Sequence, residues 1–177
     1  MLDRAYYHSL RKLYEPDDLK LVIVAESPPI SGKYFYDKSG TLTEPLFSAI
    51  LQRLNFSCAT KEDGLLEIRR RGLILVDATY EPVNGMSSSA RDRVIERDYP
   101  LLLEDLRSLS SDASLPLLLL KANVCKILDP KLTKDGFNVI NRGRLIPFPS
   151  TGQRTKSKQE FVSVLAAAGI TFISLTS

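Results

Sequence analysis

What this sequence has least of narrows its chemistry most. Its 177 residues include one histidine, His8, and two cysteines, Cys58 and Cys125. A single imidazole excludes His-rich zinc sites and two-histidine iron sites within the chain. Any Ser–His–Asp triad would have to run through His8, which instead reads as an ordinary surface or packing residue. Two distant thiols without CxxC spacing exclude four-thiolate zinc or iron–sulfur centres. They read as free core thiols in a reducing compartment, and neither a metal nor an organic cofactor is expected. No apolar run approaches the ~20 residues that span a bilayer. The opening MLDRAYYHSLRKLY lacks the apolar centre of a signal peptide. The expectation is a soluble cytoplasmic monomer with no membrane partner.

What is present is the material of a core. The chain is 44% hydrophobic and 25% charged, and its 24 basic and 21 acidic residues leave a net charge of only +3. These are ordinary globular values, and the length suits one domain over residues 1–177. Lys20–Ala25, Leu73–Asp77 and Pro116–Leu120 are short continuous apolar runs, as in strands buried on both faces. A fourth strand is expected near Arg144–Pro147, with an extra one at Ile170–Leu175. Helices are expected over Leu2–Tyr14, from a Thr41/Glu44 capping box to Leu54, and over Glu62–Arg71. Further helices are read over Ala90–Leu109, kinked or split at Pro100, then Ala122–Leu128 and Lys158–Ala168. The alternation predicts a three-layer α/β/α fold around a mainly parallel four-stranded sheet.

In such sheets the working residues gather beyond the carboxyl ends of the strands. Three polar or Gly/Pro-rich loops qualify: Glu26–Gly40, Asp77–Ser89 and Phe148–Lys158. The site is expected where they converge. The first reads AESPPISGKYFYDKSGTL, a carboxylate directly after a buried strand and then a stiff cup bordered by aromatics. On Glu26, Pro28, Phe35, Gly40 and Leu42, and on Pro149-Ser150 of the third loop, the chain resembles the uracil-DNA glycosylase superfamily. Its thermostable branch carries G-E-A-P-G, P-F-V-G-x-A-G-x-L and H-P-S at these places. The ordered elements VDATYEP, ERDYPLLLEDL, PLLLLKAN and PFPS extend the likeness along nearly the whole chain.

The resemblance implies a glycosylase that extrudes a base from DNA and hydrolyses its N-glycosidic bond. Glu26 then orients the water, and Ser27 holds the place of Ala, or of a catalytic Asp or Asn in other branches. Phe35 stacks on the base and Asp77 takes the place of a base-reading Asn. Phe148 replaces the family's His, whose hydrogen bond steadies the departing base. An ionised Asp77 only accepts hydrogen bonds, so it would suit a base edge with two donors rather than uracil.

Between Lys131 and Lys158 stand seven basic residues against one acidic, Asp135. Ser150, Thr151, Arg154, Lys156 and Lys158 are the candidates for gripping the DNA backbone, single- or double-stranded. Structural roles compete throughout. Glu26 can cap a helix or pair with an arginine, Phe35 can line the core, Asp77 can tie down a turn, Tyr34 and Tyr36 can pack at the rim, and Arg69–Arg71 can complement a helix dipole. Two other functions stay open: a nucleic-acid or nucleotide-binding module on the same fold with impaired catalysis, and an unrelated α/β hydrolase acting on a nucleoside or nucleotide.

Overall fold

A computed structural model describes residues 3–172. Four strands, β1 (Leu21–Ala25), β2 (Leu73–Asp77), β3 (Pro116–Leu119) and β4 (Asn138–Val139), form one all-parallel sheet in the order β2-β1-β3-β4. The first three are the apolar runs of the sequence. All of β1 and β2 is buried because helices cover both faces. Six helices surround the sheet: α1 (Arg4–Lys12), α2 (Pro45–Arg53), α3 (Lys61–Arg70), α4 (Ser88–Leu109), α5 (Ala122–Lys134) and α6 (Arg154–Ala167). Helix α2 packs with α6, and α4 with α5, giving a three-layer α/β/α architecture.

The departures from expectation have local causes. Helix α2 begins at Pro45, not Thr41, since proline is well suited to a first helical position. The Glu44 side chain still reaches back to the Thr41 amide at 2.9 Å, outside the helix. The full capping box belongs instead to α3, where Thr60 and Asp63 satisfy each other's amides. Helix α4 runs on through Pro100, and α5 through Pro130 to Lys134. Both prolines are exposed, so water can replace the missing amide. The fourth strand is the pair Asn138–Val139, and 144–147 is irregular. Beyond β4 the buried Asn141 side chain extends the ladder, accepting from Leu119 N at 2.9 Å and donating to Leu119 O at 3.0 Å. The C-terminal strand expected at Ile170–Leu175 falls partly outside the described residues, and 170–172 form no strand.

Strand order places the site. The chain steps from β1 to β2 on one side and then crosses to β3 on the other. The gap beyond the ends of β1 and β3 is therefore the topological switch point, where open α/β sheets bind ligands.

Candidate functional site

Beyond the strand ends the loops are zipped together. Ala78 N donates to Ala25 O at 2.8 Å, Thr79 N to Glu26 O at 3.1 Å and Leu120 N to Val24 O at 2.9 Å. Asn84 Oδ1 accepts from the Ile30 amide at 2.8 Å, and Ser27 Oγ from the Val83 amide at 3.3 Å. The aromatic arm of the first loop is anchored from below. Tyr36 is fully buried, its hydroxyl bonded to both the N–H and the C=O of Leu75. Lys61, 2% exposed, donates to Tyr34 O at 2.9 Å and to Glu44 Oε2 at 2.7 Å. At Gly40 a Cβ would run into the Glu44 carboxylate and sit 2.8 Å from Lys61 Nζ, so a side chain there would push this ion pair aside. Tyr34 and Tyr36 are thus core residues, not the rim packing expected of them.

The three loops enclose a cleft of about 520 Å3, within the usual range for small-ligand pockets. Glu26, Ser27, Phe35, Asp77, Phe148 and Ser150 all line it. Phe35 is buried and packs edge-on against Tyr36 and Phe47, with ring centroids 5.0 and 5.6 Å away. That fixes the ring as one wall. Phe148 is half-buried and Ser150 exposed at the mouth. Thr151 and Lys156 are exposed and do not line the cleft. Arg154 and Lys158 line a separate small hollow beside it. His8 packs its ring edge against Tyr80 and lies 3.7 Å from Asp105, outside the cleft. Burial is the main influence on its imidazole and lowers its pKa. Cys125 is buried, whereas Cys58 is only half-buried. The Arg69–Arg71 run is tied up in ion pairs with Asp17 and Glu67.

Two residues missing from the sequence reading complete the site. Lys121, just after β3, makes an ion pair with Glu26 Oε2, and Asn123 Nδ2 donates to Glu26 Oε1 at 2.8 Å. Arg91 Nη1 stands 3.9 Å from the same carboxylate. Lys121 also has a backbone φ of +91°, rare for a residue with a Cβ, and its amide is held by Ile146 O at 2.8 Å. Such strain costs of order 1–3 kcal/mol and collects at functional sites. A cue was available: Lys121 follows a buried apolar run just as Glu26 and Asp77 do. The Glu26–Lys121 pair bridges the switch point itself.

Asp77 is the opposite case. It is 4% exposed, and its Oδ2 is buried without a hydrogen-bond partner, as is the hydroxyl of Tyr34. Burial above all pushes its pKa up to about 8. Asp105 and Glu26 push the same way, and Arg11 and Tyr34 pull only partly back. Arg11 is committed to Asp105 through two bonds of 2.6 and 2.5 Å, which hold that carboxyl below its ordinary range despite burial. The expectation of an acceptor-only, ionised Asp77 is therefore corrected. At neutral pH its carboxyl is largely protonated, with one donor and one acceptor, the pattern of a side-chain amide.

Among the described residues no cluster of His, Cys, Asp or Glu is arranged to hold a metal ion, and no helix is long and apolar enough to cross a membrane. Compared with known proteins, the chain matches no family model and no characterised relative.

Proposed function

We propose that this chain is a divergent DNA glycosylase that hydrolyses the N-glycosidic bond of a damaged or deaminated base extruded into the cleft. One observation carries the reading. An ion-paired carboxylate, Glu26, just beyond β1, and a protonated carboxyl, Asp77, at the end of neighbouring β2, face one cleft walled by Phe35. A carboxylate held in an ion pair can serve as a base, and a buried carboxyl that keeps its proton can serve as a hydrogen-bond donor. In this mechanism the base lies against Phe35, and Asp77 offers its edge one donor and one acceptor, which suits the O4 and N3–H of uracil. Glu26 keeps lone pairs free beside Lys121 and Asn123 to orient a water toward C1′. As the C1′–N bond breaks, the sugar gains oxocarbenium character; water forms the C1′–O bond and yields its proton to Glu26. The base departs as an anion. Phe148 has no hydrogen to donate to it, so that charge falls to the lysines on the cleft wall, Lys33 and Lys121.

Phe148 is also the observation behind a second reading, a nucleic-acid or nucleotide-binding module with impaired catalysis. Both are tested by incubating the protein with labelled single- and double-stranded oligonucleotides carrying one uracil, hypoxanthine or xanthine, followed by alkali. Strand breaks that vanish in Glu26→Gln establish the glycosylase. Binding without breaks on every substrate establishes the module.

A further inference from the structure

Beside the cleft, a second hollow of about 200 Å3 lies between α2 and the start of α6. Its walls carry three cations, Arg53, Arg154 and Lys158, and no acidic residue. Among the described residues none of the three pairs with a carboxylate. Arg53 is the unusual member. Its guanidinium stacks 4.7 Å from the Phe161 ring centroid, and Nη2 donates to Ser157 Oγ at 3.0 Å. Its Nε is buried with no hydrogen-bond partner.

The other arginines withdrawn from solvent have anions: Asp105 for Arg11, Glu67 for Arg71 and Glu26 for Arg91. Arg53 has only a hydroxyl and a ring. Desolvation without compensation pulls its pKa down to about 10, so the fold withdraws this cation at a cost that a bound anion would relieve. No side chain caps α6, whose first residues, Arg154 and Thr155, line the same hollow. Pro45 lines both hollow and cleft, and Pro149 of the hollow is followed by Ser150 of the cleft. The two cavities share a wall.

We propose that Arg53, Arg154 and Lys158 form a phosphate-ester pocket that holds the phosphate of the nucleotide whose base occupies the cleft. Arg53 supplies a fixed planar donor set, while Arg154 and Lys158 close over it from α6. The anion site stands on its own cations; its assignment to a nucleotide rests on reading the cleft as a base pocket. Thr151, just before α6, and Lys156, in its first turn, lie outside the pocket.

The test uses the full chain and three probes: inorganic phosphate, a nucleoside monophosphate and a labelled oligonucleotide with a tetrahydrofuran abasic analogue. Inorganic phosphate should raise the melting temperature of the wild type over chloride at equal ionic strength, and should compete with the oligonucleotide. Arg53→Gln should abolish the phosphate-dependent rise and flatten the log K against log salt slope by about one. Arg53→Lys should recover the slope. If Arg53→Gln does not fold, Arg154→Gln/Lys158→Gln on the surface of α6 is read the same way. Phosphate and mononucleotide binding without oligonucleotide binding supports the pocket, assigns its ester to a free nucleotide and overturns the glycosylase reading. The pocket is overturned if phosphate protects the wild type no more than the variants and their salt slopes coincide. Base excision that persists unchanged in those variants leaves the reaction standing and removes only the pocket.

Discussion

Glu26 and Asp77 occupy almost the same place in the fold. Ala25 and Asp77 are register partners on neighbouring parallel strands, and Glu26 follows Ala25 directly. Both side chains face the same cleft and both are nearly sealed from solvent. Their surroundings could hardly differ more. Around Glu26, Lys121 just after β3, the start of α5 and the start of α4 deliver an ammonium, an amide and a guanidinium. Around Asp77 burial dominates, and the guanidinium that acts on it, Arg11, is spent on Asp105. Equivalent positions on a sheet thus yield an ionic group beside the switch point and a neutral one a strand away. The topology decides where a carboxyl sits; neighbours contributed from distant sequence decide what it can do.

Removing the ionic member should have the largest effect. Glu26→Gln keeps the size and the contact with Asn123 but loses the proton acceptor, so excision should fall roughly 100- to 10,000-fold. Binding to an abasic-analogue oligonucleotide should stay within a few-fold. Equal loss of binding and turnover would mean that Glu26 is structural and that its contrast with Asp77 has no catalytic meaning.

The neutral member is tested through pH. Because the folded-state pKa lies near 8 against an ordinary 3.8, the folded chain binds a proton between those values that the unfolded chain has released. Stability from this group is therefore full at low pH and is lost as pH rises to about 8, by roughly 4–6 kcal/mol in all. Asp77→Asn removes that fall, so urea midpoints of the two proteins should agree near pH 4 and separate in favour of the variant by pH 8. Excision should follow suit, with similar rates at pH 6 and a faster variant above pH 8. A carboxyl that is ionised throughout would instead show no such divergence.

Half of this contrast was open to a reader of the sequence. Strand β2 ends where the run Leu73–Asp77 ends, because the turn at Gly72 and the polar loop after Asp77 bound an apolar segment too short for a helix. The convergence of three loops follows from parallel strands alone. The protonation of Asp77 was not visible. It depends on Tyr34 and Tyr36, far earlier in the chain, being buried rather than lining a rim, and on Arg11 choosing Asp105. The partners of Glu26 were hidden for the same reason: Lys121 and Asn123 reach it from 95 and 97 residues away. Strand β4, with two residues, leaves no apolar signature at all, and Asn141 does in side-chain bonds what a longer run would do in backbone.

A smaller effect should come from the clamp that keeps Asp77 dry. Lys61→Met leaves Glu44 and the Tyr34 carbonyl without their buried partner, at a cost of about 3 kcal/mol in unfolding free energy. Loosening the aromatic arm also admits water toward Asp77. The pH-dependent fall in stability should then be shallower than in the wild type when urea midpoints are compared across pH 4–8. An unchanged slope would show that Tyr34 does not owe its desolvating position to Lys61.

The smallest effect concerns what stands opposite both carboxyls. If leaving-group charge is already met by Lys121 and Lys33, restoring a donor with Phe148→His should speed uracil excision by only about tenfold. That is well short of the ~100- to 1000-fold that a sole oxyanion donor supplies. A gain of the full size would show the lysines idle and Glu26 alone responsible for the wild-type rate. No gain, in a variant that still binds abasic-analogue DNA and a chain that excises nothing, would move the argument to the binding module. In that case the cations around Glu26 serve to neutralise a buried charge, and the two carboxyls differ in their partners without dividing any chemical labour.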